Sequence, residues 1–280
     1  MNRITTEHGN SALNIESNDV LFHIDDKGIA TITLNRPDKK NAFNSQCISI
    51  LLSILLHTRA DSNVRALVLR ANGSHFSAGA DLNWMQSLTN CTMEENVKDA
   101  EKLAELLHQL DTFPAPTIAV VQGAAFGGAL GLICCCDIAI ATQDSQFCLS
   151  EVKLGLVPAT IGPYVCRAMG QRQVRRYMIT AEFINAEKAK ALNLIHDLMP
   201  TAQSLDKHLE HFIRHISMNS PNAVREAKAL CHLCESETLD SSLRKKTSEI
   251  IAKLRVSPEG QEGLSAFLEK REPNWMTDHD

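Results

Sequence analysis

Apolar positions alternate along Val20–Ile24 and Ile29–Leu34, with Lys27 and Gly28 between them. A period of two in β-branched residues, broken by a glycine turn, predicts a β-hairpin. Arg36-Pro37 interrupts the pattern. From Ser45 to Arg59 the period lengthens: Cys47, Ile48, Leu51, Leu52, Leu55 and Leu56 recur at the spacing of a helix face. Val64–Leu69 is a nearly continuous apolar run, as in a strand covered on both sides. The stretch with His75, Gly79 and Asp81 reads as a loop. Helical spacing returns over Val97–Leu110, through Val97, Ala100, Leu103, Ala104 and Leu107, until Pro114 and Pro116 end it. Thr117–Val121 is a second buried strand. Gly123–Gly128 turns into a small-residue helix running to Cys136. Asp137–Ala141 and the shorter Phe147–Leu149 read as strands.

Strands alternating with helices predict an α/β fold. After Pro200 the pattern changes. Leu205–Ile216, Asn222–Cys234 and Ser241–Leu254 are all helical in period, with Pro221 and Pro258 at start or break positions. The expected organisation is a flexible leader over 1–17, an α/β core over 18–200 and an all-helical region over 201–280.

Composition narrows the classes of function. A formal net charge of −5 over 280 residues gives no support to nucleic-acid binding, which calls for a basic face, though local basic clusters suit a small anionic ligand. No run reaches the roughly 18 apolar residues of a membrane helix. The nine cysteines are odd in number, include the run Cys134–Cys136, and come with no export signal. Reduced, buried thiols in a cytoplasmic protein are the expectation. Cys231-His232-Leu233-Cys234 has zinc-like spacing but lacks a second pair, so a plain helix face is expected there and no metal.

Three segments carry candidate chemistry. Ser74–Leu82 contains Ser77-Ala78-Gly79-Ala80-Asp81 just after a predicted buried strand. Small residues there let a backbone approach a ligand, or simply make a tight turn. Val120–Gly131 reads as strand, glycine turn and helix start, with Gly127-Gly128 at the turn. The first N–H groups of a helix lack internal partners and suit a developing oxyanion; close helix packing is the plainer alternative. It carries neither a P-loop nor a full dinucleotide fingerprint. Third, Glu151 lies in the mostly apolar run Phe147–Pro158. Such a glutamate is either salt-bridged or, if desolvated, a proton shuttle with a raised pKa.

Taken in order, these segments resemble the crotonase superfamily of enoyl-CoA hydratases and isomerases. The resemblance begins at Leu34-Asn35-Arg36-Pro37-Asp38-Lys39-Lys40-Asn41-Ala42-Phe43. It runs through Ser77–Asp81 and Gly127–Leu130 and ends at Glu262–Arg271. The middle segments look especially like bacterial methylglutaconyl-CoA hydratases of leucine catabolism and the related carboxygeranoyl-type hydratases. The resemblance implies a spiral of ββα units with a C-terminal helical region that aids assembly into a trimer or a dimer of trimers. It implies that Ala80 and Gly128 supply the oxyanion-hole N–H groups. Glu151 matches the second of two family glutamates, while Gly131 stands where hydratases usually have the first. Asp137 and Asp144 are the nearest other carboxylates in sequence.

The expected activity is hydration of 3-methylglutaconyl-CoA or a related carboxylated branched enoyl-CoA. The alternatives are a Δ3,Δ2-enoyl-CoA isomerase using Glu151 alone and a non-catalytic acyl-CoA-binding protein. Arg36, Lys39 and Lys40 are candidates for the CoA phosphates, with Ala78, Asp81 and Leu82 bordering the substrate. By resemblance, Phe267 and Lys270 come from a neighbouring subunit. Arg167, Lys153 and Arg172 are candidates for a distal carboxylate. No cofactor is expected, since coenzyme A is part of the substrate.

Overall fold

The computed structural model describes residues 17–276; the leader expected over 1–17 lies outside them but for its last residue. The chain divides into two compact units, residues up to Phe113 with Thr117–Leu209, and Pro114–Pro116 with the residues from Glu210 onward.

In the first unit β1 (Val20–Ile24) and β2 (Ile29–Leu34) form the predicted antiparallel hairpin, with Gly28 at φ 76 in its turn. A short 3-10 turn over Pro37–Lys39 leads to α1 (Ser45–Thr58), capped by the Asn44 side chain. β3 (Ala66–Ala71), α2 (Leu82–Leu88) and α3 (Met93–Asp111) follow. Next come β4 (Thr117–Val121), β5 (Ala124–Phe126), α4 (Gly128–Cys134), β6 (Ile138–Thr142) and β7 (Gln146–Cys148). A 3-10 turn over Glu151–Leu154 precedes α5 (Gly162–Met169) and α6 (Gln171–Thr180). β8 (Ile184–Asn185), α7 (Ala186–Ala191) and β9 (Asp197–Met199) complete the unit before α8 (Ala202–Ser217), which runs past its end.

Two sheets result, one ordered β1-β2-β3-β4-β6-β9 and one ordered β5-β7-β8. Beyond the first hairpin the larger sheet is parallel. Its inner strands are nearly continuous apolar runs, as in a parallel sheet covered on both faces; every residue of β4 is buried. This is the mixed α/β architecture the strand-helix alternation predicts.

Three details depart from the sequence reading. β3 begins two residues later than the apolar run, because Val64 sits in the loop before it. The loop after Gly79 contains α2, whose N-cap is the Asp81 carboxylate accepting the Asn83 N–H. α3 starts at Met93, where Thr92 and Glu95 form a reciprocal capping box.

The second unit holds α9 (Pro221–Ser236), α10 (Ser241–Arg255) and α11 (Pro258–Glu269). Each begins on a side-chain cap, from Ser220, Asp240 and Ser257. Glu259 accepts the Ser220 hydroxyl and the Asn222 N–H, tying the start of α11 to the start of α9. No helix among the described residues is long and apolar enough to cross a membrane.

Candidate active site

Segment Ser77–Asp81 is held between two neighbours by isolated β-bridges. On one side Phe43 pairs with Ala80: the Phe43 N–H donates to the Gly79 carbonyl and the Asp81 N–H to the Phe43 carbonyl. On the other, Ser77 pairs with Ala125 of β5. In such a ladder alternate residues point their peptide groups to opposite sides. The Ala80 N–H therefore faces away from Phe43, on the side of β5. It has no hydrogen-bond partner among the described residues.

Gly79 makes the approach close. Its φ is +88, and a Cβ there would lie 2.8 Å from the Phe126 carbonyl oxygen and 3.9 Å from Gly127 Cα. Only glycine tolerates both conditions. This contact brings Ala80 beside Gly127-Gly128, the turn into α4. The Gly127 N–H is already bonded to the Cys148 carbonyl, whereas the Gly128 N–H, the first of α4, is unpartnered among the described residues. Two free N–H groups thus meet where β5 ends, both on half-exposed residues that a ligand can reach. Gly128 itself packs on Phe43: a Cβ there would lie 2.8 Å from Phe43 Cζ.

Glu151 follows β7 and faces the same turn. Its Oε1 lies 3.2 Å from where a Gly127 Cβ would be. Its Oε2 is buried with no hydrogen-bond partner. Desolvation raises its pKa above the ordinary 4.5, partly offset by its own backbone N–H. The salt-bridged alternative is absent: no ion pair to Glu151 occurs among the described residues.

Gly131 lies one helical turn beyond Gly128. A Cβ there would lie 2.4 Å from Ile161 Cγ2 and 3.1 Å from Leu107 Cδ2. Both neighbours are fully buried. The position is therefore filled by apolar side chains, and no carboxylate fits there without displacing Ile161. Asp137 does not substitute, because it binds the Thr117 N–H and hydroxyl at the far end of β4 from the Gly123 turn. Asp144 is exposed in the turn before β7.

The remaining candidates are placed as follows. Arg36 is held by ion pairs to Asp81 at 3.0 Å and Asp19 at 3.4 Å and donates to the Ala42 carbonyl. Asp81, buried, has its pKa lowered by the Asn83 N–H and Arg36 despite desolvation. Lys39 and Lys40 are exposed, and the Lys40 carbonyl accepts the Ala78 N–H. Leu82 is exposed on α2. Arg167 is ion-paired to the buried Asp111 and stacks on Tyr164. Lys153 sits over the Phe183 ring at 5.1 Å, and Arg172 is exposed. Phe267 and Lys270 belong to the second unit, Phe267 exposed and Lys270 closing α11 in the left-handed region. The sequence motifs include Asn41 and Ser77 without assigning either a role, and do not include Ile161. Ser77 had a signal, as a polar residue inside a small-residue motif; Asn41, which follows the charged run Asp38-Lys39-Lys40, and Ile161 had none.

The chain matches the enoyl-CoA hydratase/isomerase family over residues 25–278. It belongs to that family. A solved enoyl-CoA hydratase from Shewanella pealeana is 50% identical, with 93% of this chain and 97% of that one covered and a TM-score of 0.89. An enoyl-CoA isomerase/hydratase of Mycosarcoma maydis is 31% identical, with 88% of this chain and 92% of that one covered. A 2,3-dehydroadipyl-CoA hydratase of Escherichia coli is 29% identical, with 88% of this chain and 94% of that one covered. The family's chemistry runs on acyl-CoA thioesters, and the crotonase fold with its C-terminal helical region is what the structure shows. Two inward N–H donors and a desolvated carboxylate are the groups that thioester-enolate chemistry requires.

Proposed function

We propose that the protein hydrates 3-methylglutaconyl-CoA or a related carboxylated, branched enoyl-CoA, with Glu151 as its one catalytic carboxylate. The observation that carries this reading is the buried, unpartnered Glu151 Oε2 beside the free Ala80 and Gly128 N–H groups. The thioester oxygen accepts both N–H groups. Glu151 takes a proton from water, and the resulting hydroxide bonds to the β-carbon. The double-bond electrons move onto the thioester oxygen, where preorganised donors are worth roughly 3–4 kcal/mol each. Glu151 then gives its proton to the α-carbon and is regenerated as carboxylate.

Lys153 is assigned the distal carboxylate of the acyl chain. It lies two residues beyond Glu151, and no carboxylate pairs with it among the described residues. Leu154, Leu156 and Val157 beside it leave apolar surface exposed for the chain. The E. coli relative, whose name specifies a dicarboxylic acyl thioester, supports this class of substrate. Lys39 and Lys40 are assigned the CoA phosphates, and Phe267 and Lys270 of a neighbouring copy the nucleotide end, within a trimer or dimer of trimers. Arg36 acts by holding Asp81.

Gly131, filled by Ile161, favours a second reading: a Δ3,Δ2-enoyl-CoA isomerase in which Glu151 moves a proton between α- and γ-carbons without water. Incubation with 3-methylglutaconyl-CoA and with a 3-enoyl-CoA separates the two. Loss of conjugated absorbance with a hydroxyacyl product supports hydration. Migration of the double bond without hydroxy product sinks it in favour of isomerisation. No turnover over a broad thioester panel would leave a binding protein.

A further inference from the structure

Ser77 is fully buried, yet its hydroxyl is committed to two backbone groups. It donates to the Asn41 carbonyl at 2.8 Å and accepts the Gly79 N–H at 3.1 Å. The roles are unambiguous, since a carbonyl only accepts and an amide N–H only donates. The backbone of Ser77 is fixed as well: its N–H donates to the Ala124 carbonyl, and its carbonyl accepts the Phe126 N–H. Asn41 is itself anchored, its side-chain amide donating to the Asn72 and His75 carbonyls and its oxygen accepting the Arg36 N–H. Ser77 therefore links the Lys40–Phe43 segment and the Gly79 turn through its hydroxyl, and β5 through its backbone.

We infer that Ser77 is the positioning residue of the donor loop: its hydroxyl engages the Gly79 N–H, so that the next N–H, that of Ala80, is the one presented to the thioester oxygen. The two peptide units share the Gly79 φ of +88, a conformation that glycine alone does not lock. The Ser77 acceptor fixes the Gly79 N–H, and the Phe43 N–H fixes the Gly79 carbonyl. The direction of the Ala80 N–H follows from these two constraints. Ser77 touches no reacting atom in this scheme. The inference rests on the assignment of Ala80 and Gly128 as donors, and not on whether the enzyme hydrates or isomerises.

The test reads carbonyl polarisation directly. A conjugated cinnamoyl-CoA is bound to the wild-type protein, to Ser77→Ala and to Ser77→Cys, and the thioester carbonyl stretch is recorded by difference infrared spectroscopy. The wild type is expected to shift the stretch to lower frequency. Ser77→Ala should return it towards the free value, lowering kcat by about 10²-fold, as for a donor displaced by an ångström, while KM changes little. Ser77→Cys, with a weaker acceptor of similar shape, should fall between and covers the case in which the alanine variant does not fold. A wild-type shift retained in full by the folded variants, with kcat per folded site unchanged, overturns the role of Ser77. No shift in the wild type overturns instead the donor assignment on which it rests.

Discussion

The Glu151 carboxylate is the residue at which folding and function compete. Its Oε2 is desolvated and unpartnered, and its pKa is raised above 4.5. If the ionised form is the base, kcat/KM should fall on the acid side through a limb lying above that ordinary value. Replacing Glu151 by Gln should cost about 10²–10⁴-fold in kcat and abolish the limb, checked by pH–rate profiles of both proteins. The same shift predicts a stability effect. Between the unfolded and the raised folded pKa, the native state holds more protons than the unfolded one, so stability falls as pH rises. The Gln variant should therefore melt above the wild type at pH 7, and the gap should close below about pH 4.5, where both states are protonated in the wild type. Calorimetry at the two pH values tests the sign. Lys153→Met should raise KM for the carboxylated substrate and leave a neutral enoyl-CoA of equal length unaffected; equal effects on both would remove Lys153 from the distal site.

At the scale of elements, the packing of α4 against α5 and its approach determines which carboxylates the site can hold. A side chain at Gly131 meets Ile161 and Leu107. Gly131→Glu should therefore lower stability by about 1–3 kcal/mol through overpacking. The double variant Gly131→Glu with Ile161→Gly should recover part of that loss, since Ile161 is the nearer of the two obstructing side chains. Urea melts of the two proteins give the comparison. A single variant as stable as wild type would mean that Ile161 moves aside freely. Which elements the sequence disclosed follows from the range of their causes. The β1–β2 hairpin, α1 and β4 have local periodicity and were legible within a residue or so. α2 and β5 were not: α2 is short and buries no side chain, and β5 is a three-residue strand made by pairing with β7.

At the scale of the whole molecule, α11 carries exposed Leu264, Phe267 and Leu268, with Phe267 81% exposed. In the assembly proposed above, light scattering should give the mass of three or six chains. Phe267→Asp should weaken that assembly and raise KM for acyl-CoA in parallel. A monomer with full activity would remove the neighbouring copy from the site.

The sequence by itself determined that the chain alternates strands and helices before Pro200 and is helical after it, because amphipathic period is a local property. It also marked the two glycine turns and Glu151, since small residues and an acid in apolar runs stand out without coordinates. Only the tertiary structure decided that the Ala80 and Gly128 N–H groups are the unpartnered ones, because that depends on what Phe43, Ser77 and Cys148 engage from elsewhere in the chain. It alone decided that Gly131 is a filled position, because Ile161 reaches it across a helix contact thirty residues away in sequence. Hydrogen-bond satisfaction and packing are long-range sums, which is why local sequence does not disclose them.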